Sequence, residues 1–318
     1  MEPLQRIPTL HDIQETHESI AYLIHRTPVL TSRSIDDISG VRIFFKCENF
    51  QKVGAFKMRG AAGAALRLSE TDRQRGVATH SSGNHAQAVA RAARVLGIPA
   101  YIVMPENAPQ IKRKATEGYG AEVIPCAPTV AARETMLHAV TARTGAVFIH
   151  PYNDYNVIAG QATAAKELLD DVANLDAIIT PVGGGGLMSG TALSTRYLSP
   201  DTKVYGAEPT AVNDALRSLR AGRIEVNETT DTIADGLRTN LGEKTFEIIS
   251  QHVDDIFSVS EEEIVQAMRL VWERMKIIIE PSCAVPLAAV LANPAPFSGK
   301  RVGIILSGGN VDLGELPF

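Results

Sequence analysis

Cysteine is scarce. Cys47, Cys126 and Cys283 are the only three in 318 residues, and no two fall at a paired spacing. That excludes a disulfide framework and a zinc site built on cysteine pairs, and leaves small buried thiols in a reducing compartment as the expectation. Long apolar runs are missing too, so no segment reads as a membrane span. The opening residues, Met1-Glu2-Pro3-Leu4-Gln5-Arg6-Ile7-Pro8, lack the apolar core of a signal peptide. A cytoplasmic protein without a membrane partner is expected. Excess positive charge is absent as well: the net charge is −5, with lysines and arginines scattered among acids. With no basic stripe there is no electrostatic footprint for nucleic acid.

What is present is enough apolar residue, 45% of the chain, to bury a sizeable core. Thr9 followed by Asp12 reads as a capped helix start, with Ile13, Ile20, Leu23 and Ile24 on one face. Short apolar runs predict strands over 41–47, 76–80, 100–104, 121–125 and 146–150, then over 175–182, 203–208, 255–259 and 301–306. Helical patterns lie between them, over 84–96, 109–119, 130–144 and 187–198, and from Ser260 toward Lys276. This alternation predicts an α/β fold of two lobes, each a parallel-rich twisted sheet flanked by helices, around a cleft. No low-complexity linker or short internal repeat interrupts it. Ligands of such sheets bind beyond the carboxyl ends of the strands.

Three motifs sit at those ends. In Gly54-Ala55-Phe56-Lys57-Met58-Arg59-Gly60 a lysine opens a run of small apolar residues. Taken alone it reads as a solvated surface lysine. At the mouth of a closely packed helix, however, its amine would lose water, drop in pKa and become a nucleophile of the Schiff-base kind. Gly183, Gly184, Gly185 and Gly186 follow a buried strand and open a helix. Backbone N–H groups free of Cβ atoms, with the positive end of a helix behind them, suit a phosphate. No Gly-Lys-Ser/Thr follows, and G-x-G-x-x-G with its downstream acid is absent, so neither a Walker-type nor a dinucleotide loop is indicated. Ser81-Ser82-Gly83-Asn84-His85 begins another helix with donors suited to a carboxylate, or with an ordinary serine cap. His85 by itself reads as a satisfied helix residue. Ser307-Gly308-Gly309-Asn310 closes the last strand. A lysine, a phosphate cradle and a carboxylate cradle together point to a phosphorylated aldehyde acting on an amino acid.

These motifs, with Arg26-Thr27-Pro28, Glu280-Pro281 and Val271-Trp272-Glu273-Arg274-Met275-Lys276, resemble the fold-type II pyridoxal-phosphate enzymes of the serine racemase and serine/threonine dehydratase family. The resemblance implies pyridoxal 5'-phosphate on Lys57, Phe56 beside the ring, Asn84 at the phenolic oxygen, Gly183 to Gly186 on the phosphate and Ser307 at the pyridine nitrogen. It implies Ser81, Ser82, Gly83, Asn84 and His85 around the substrate, with Ser82 on the face opposite the lysine. Glu208, Val212 and Asp214 match a Mg²⁺ or Ca²⁺ site, although as bare sequence they read as an acidic loop. Arg133 is expected to meet a second substrate carboxylate as a bidentate donor, or else to be an exposed helix arginine. The implied lobes are 1–52 with 153–318, which binds the cofactor, and 76–152, which binds substrate, with the Lys57 helix in 53–75 between them. A homodimer is implied. Two departures stand out: Ala55 replaces a frequent serine, and Tyr152 stands where vertebrate racemases carry asparagine. The expected activity is elimination of water from a β-hydroxy amino acid to give a 2-oxo acid and ammonia. The Pro151-Tyr152-Asn153 segment resembles that of microbial hydroxyaspartate dehydratases, which implies 3-hydroxyaspartate ahead of serine or threonine. Serine racemisation, a β-replacement synthase and a non-catalytic binding module are the alternatives.

Overall fold

The computed structural model describes residues 1–108 and 110–318. Its strands are β1 (Val29–Leu30), β2 (Arg42–Cys47), β3 (Val77–His80), β4 (Ala100–Pro105), β5 (Glu122–Cys126), β6 (Val147–Phe148), β7 (Ala177–Pro181), β8 (Lys203–Pro209), β9 (Asp255–Val259) and β10 (Arg301–Leu306). Six of them form one sheet in the order β1-β2-β10-β7-β8-β9, and four form a second in the order β5-β4-β3-β6. Within them, β1 against β2 is antiparallel and the other pairings are parallel. β7 and β10, at the centre of the larger sheet, are almost wholly buried, as strands covered on both faces must be. The smaller sheet is drawn from residues 77 to 148, the larger from the chain on either side of it.

The predicted elements form with shifts of a residue or two. Thr9 and Asp12 close a capping box on the helix Leu10–Ile20. The predicted helix start at residue 109 lies outside the described residues, and the helix runs Gln110–Gly118. The strand predicted over 146–150 narrows to Val147–Phe148 because the chain leaves the sheet there. The Ile149 amide still reaches the Ala78 carbonyl, but His150 turns to accept from the next two amides. Among the helices that carried no predicted pattern are three of ten residues or more: Tyr155–Asp171, Glu243–His252 and Pro281–Ala292. The first is buried nearly all round, so it has no amphipathic stripe to read.

That long helix explains the small residues after Lys57. Met58 through Ala65 are buried in the helix Lys57–Leu66, which packs backbone to backbone on Tyr155–Asp171. A methyl on Gly160 would overlap the Arg59 carbonyl, and one on Gly60 would lie 2.9 Å from Val157 Cγ1. Gly190, in the helix Gly186–Leu198, meets Ala162 just as closely. All three cysteines are buried and free. Among the described residues no helix is long and apolar enough to cross a membrane.

Candidate active site

The motifs gather at the carboxyl ends of the strands. β10 leads into Ser307, whose carbonyl accepts from the Phe56 amide at 3.0 Å, and Ala55 bridges Gly308. These bonds fix the start of the Lys57 helix beside the last strand. Lys57 is half-buried, and its Nζ donates to the Pro151 carbonyl at 2.8 Å. Burial pushes its ammonium down to about 8, against a smaller opposing pull from Glu280. The amine lies 5.1 Å from the centre of the Phe56 ring.

Pro151 also links that amine to the glycine loop. The next residue, Tyr152, lays its ring where a side chain on Gly184 would have to sit, and its Cα would be 3.1 Å from a Cβ on Gly186. On the other wall, a Cβ on Gly183 would lie 3.0 Å from Leu237 Cα, and one on Gly185 would lie 2.8 Å from Thr245 Cβ. Gly185 adopts φ +87°, a conformation that favours glycine, and Gly186 opens its helix. The loop is thus confined between two walls that leave no room for a side chain on Gly184 or Gly185 and little on Gly183 or Gly186, with backbone amides at a helix N-terminus.

Gly83 and Asn84 begin the helix Asn84–Leu96 without a side-chain cap; Ser81 Oγ instead accepts the Gly83 amide at 3.3 Å. The serines are therefore not spent on an ordinary cap. Asn84 Nδ2 donates to both carboxylate oxygens of Glu280, and Asn84 Oδ1 accepts from Asn310 Nδ2 at 2.8 Å. Glu280 is buried and takes the Asn310 amide as well. Its electrostatic reach to Lys57 makes it part of the site, a role the bare Glu280-Pro281 dipeptide did not disclose. His85 is buried with Nε2 3.0 Å from the Ile149 carbonyl, so that nitrogen carries the proton. Burial, then Lys57, holds the ring neutral.

Arg133 is half-buried in the helix Val130–Thr144, with Nε 3.4 Å from the Thr129 carbonyl. After burial, its charge is the next influence holding His80 below the usual range, which puts it near the strand end that leads into Ser81. His150 is pushed down to about 4 by burial, then by His80, Lys57 and Lys244. Its Nδ1 accepts the amides of Tyr152 and Asn153, so the unprotonated nitrogen faces the chain.

Glu208, at the end of β8, and Asp214 are both fully buried, as is Val212. Glu208 accepts the amides of Ala215 and Leu216; Asp214 accepts from Asn227 Nδ2 at 2.6 Å and the Leu241 amide at 2.9 Å. Burial, then Asp214, pushes Glu208 well up, and burial pushes Asp214 up to about 6. Among the described residues no group of three or more His, Cys, Asp or Glu side chains could hold a metal ion, so any cation here would rest on two carboxylates and on carbonyl or water oxygens.

Residues 20–308 match the family of pyridoxal-phosphate dependent enzymes, and the chain belongs to it. Within that family the chain is 49% identical to the β-hydroxyaspartate dehydratase of Paracoccus denitrificans, over 98% of this chain and 99% of the relative. It is 50% identical to the L-threo-3-hydroxyaspartate ammonia-lyase of Saccharomyces cerevisiae, over 96% of this chain and 94% of the relative. It also superposes on the crystal structure of serine racemase from Dictyostelium discoideum with a TM-score of 0.92 at 51% identity, covering 96% and 99% of the two chains. The residues fit the family's cofactor: a half-buried amine of lowered pKa bonds the Pro151 carbonyl, and the next residue, Tyr152, packs on a glycine loop that leaves little room for side chains.

Proposed function

We propose that this protein is an ammonia-lyase that removes water from a β-hydroxy L-amino acid, with 3-hydroxyaspartate favoured and serine or threonine as alternatives. The observation that carries the reading is the Lys57 amine, down to about 8 and held at the Pro151 carbonyl beside the glycine loop. Bound pyridoxal phosphate supplies an aldehyde for the substrate amine and a conjugated ring that withdraws charge from Cα. The protein does the rest. Backbone amides of 183–186 would hold the phosphate, with Phe56 against the ring, Asn84 toward the phenolic oxygen and Ser307 toward the pyridine nitrogen. A neutral serine there would do little to keep that nitrogen protonated, which would favour prompt loss of the β-hydroxyl over prolonged charge storage. Lys57 takes the Cα proton and returns a proton to the departing hydroxyl, which leaves as water. The released enamine becomes an imine and hydrolyses to a 2-oxo acid and ammonia.

Donors of Ser81, Ser82, Gly83, Asn84 and His85 receive the α-carboxylate. Arg133, close to His80, supports a dicarboxylic substrate by offering its second carboxylate a fork of donors. Ser82 serves the face opposite Lys57, and racemisation through it is a side activity in keeping with the serine racemase relative. A Mg²⁺ or Ca²⁺ ion at Glu208, Asp214 and the Val212 carbonyl would neutralise two buried carboxylates that no lysine or arginine pairs among the described residues. Residues 76–152 act as the lobe that closes on substrate. A homodimer is supported by exposed Tyr22, Phe50 and Ile278, which lie along one hydrogen-bonded stretch of surface: Asn49, beside Phe50, donates to Ile278, and Lys52 to Tyr22.

Ammonia release from 3-hydroxyaspartate, serine and threonine, with product identification, tests the substrate. Equal or better turnover of threonine removes the preference for the dicarboxylic acid. Lys57→Ala is expected to cut ammonia release by about 10²- to 10⁴-fold. In cofactor-free protein the Lys57 amine should react with aldehydes with a midpoint near pH 8, more as pH rises. A midpoint near the ordinary lysine value overturns the assignment.

A further inference from the structure

Two residues beyond Lys57, Arg59 is fully buried with its guanidinium forked between two carboxylates. Nε and Nη2 donate to Glu48 at 2.7 and 2.8 Å; Nη1 and Nη2 donate to Glu167 at 2.9 and 2.8 Å. Lys46, also fully buried, donates to Glu167 at 2.7 Å and to the Thr27 carbonyl. Two cations and two anions thus close a neutral cluster that joins β2 and the turn after it, the Lys57 helix and the helix Tyr155–Asp171.

We infer that this cluster is a positioning device for Lys57, with Arg59 as its central positioning residue; the inference rests on the reading of Lys57 as the cofactor lysine. Stability does not explain the cluster, because buried ion pairs replaced by apolar residues of similar volume often leave stability unchanged or raise it. Geometry does. The two helices meet along Gly60, Gly63 and Gly160, and contacts between small residues resist sliding weakly. Lys57 stands at the start of one helix, while Pro151, which accepts its amine, leads into the Asp154 cap of the other. A slip of one helix along the other therefore moves the amine away from its partner. Planar forked bonds from Arg59 to a carboxylate on each side fix that register in a way apolar packing does not.

The test uses the holoenzyme. Arg59→Lys keeps the charge and loses the fork: kcat is expected to fall about 10- to 100-fold with KM within about threefold, since a small misplacement of the reacting amine is enough. The absorbance of the lysine-bound cofactor should weaken or shift in parallel, with the thermal midpoint little changed. A fourfold apolar variant, Lys46→Met with Glu48→Leu, Arg59→Met and Glu167→Leu, should fold and show the same loss. An Arg59→Lys enzyme with unchanged kcat and absorbance overturns the inference. So does an Arg59→Lys protein that loses fold and activity together, or an apolar variant that folds with full kcat. Lys57→Ala is run beside them: if it keeps the wild-type absorbance, the cofactor-lysine reading fails, whatever Arg59 does.

Discussion

The protein buries two pairs of carboxylates and treats them in opposite ways. Glu48 and Glu167 share Arg59, Glu167 also takes Lys46, and hydrogen bonds from His17 and Arg59 hold Glu167 well below the usual carboxylate range despite burial. Glu208 and Asp214 are equally buried but receive backbone amides and an asparagine, and both are pushed up. Arg217, whose charge acts on both members of the second pair, turns its guanidinium to Asn213 and the Val226 carbonyl. A buried acid that carries its counter-charge in the sequence is finished when the chain folds. One that lacks it is left to draw a proton or an ion from solution.

The largest effect expected from this contrast is at Glu167. Replacing it with leucine strands Arg59 and Lys46 with one carboxylate between them, and should lower unfolding free energy by about 3–5 kcal/mol in a denaturant titration. A loss below about 1 kcal/mol would mean the two pairs do not differ as described.

Next comes the ion at the other pair. Asp214 has its folded pKa raised to about 6 from the model-peptide range near 3.8, so between those values the folded protein binds more protons than the unfolded chain. Stability without a cation therefore falls as pH rises through that window. Mg²⁺ or Ca²⁺ at a hundred times its dissociation constant should restore about 2.7 kcal/mol at pH 8, and far less at pH 5, where protons occupy the carboxylates. The thermal midpoint with chelator and with added ion measures this at both pH values; equal shifts would sink the assignment. The smallest effect belongs to His17, which touches Glu167 at 3.0 Å but is partly exposed. His17→Phe should change stability by less than about 1 kcal/mol.

The glycine loop was legible because four glycines between a buried strand and a helix have few other uses, and Lys57 because its neighbours are too small for a surface helix. Arg59 stood in the same motif without disclosing that it is buried. Its partners are Glu48, 11 residues before it, and Glu167, 108 residues after it, with no local signature. Glu280 meets Asn84 across 196 residues and was equally invisible as a contact. The helix Tyr155–Asp171 left one usable sign, the Asp154 cap, but its burial on all sides erased the periodicity. What local sequence conveys is backbone freedom and burial; what it conceals is which distant charge answers which.

The glycine loop is shaped alternately from two directions. Gly183 and Gly185 lean on segments from residues 236 to 249, whereas Gly184 and Gly186 lean on Tyr152, in the chain that leaves the small sheet. Added methyl groups at neighbouring positions of one short loop would thus disturb different halves of the molecule. The odd-numbered pair would strain the large sheet's surroundings, and the even-numbered pair would push on the crossing between the sheets.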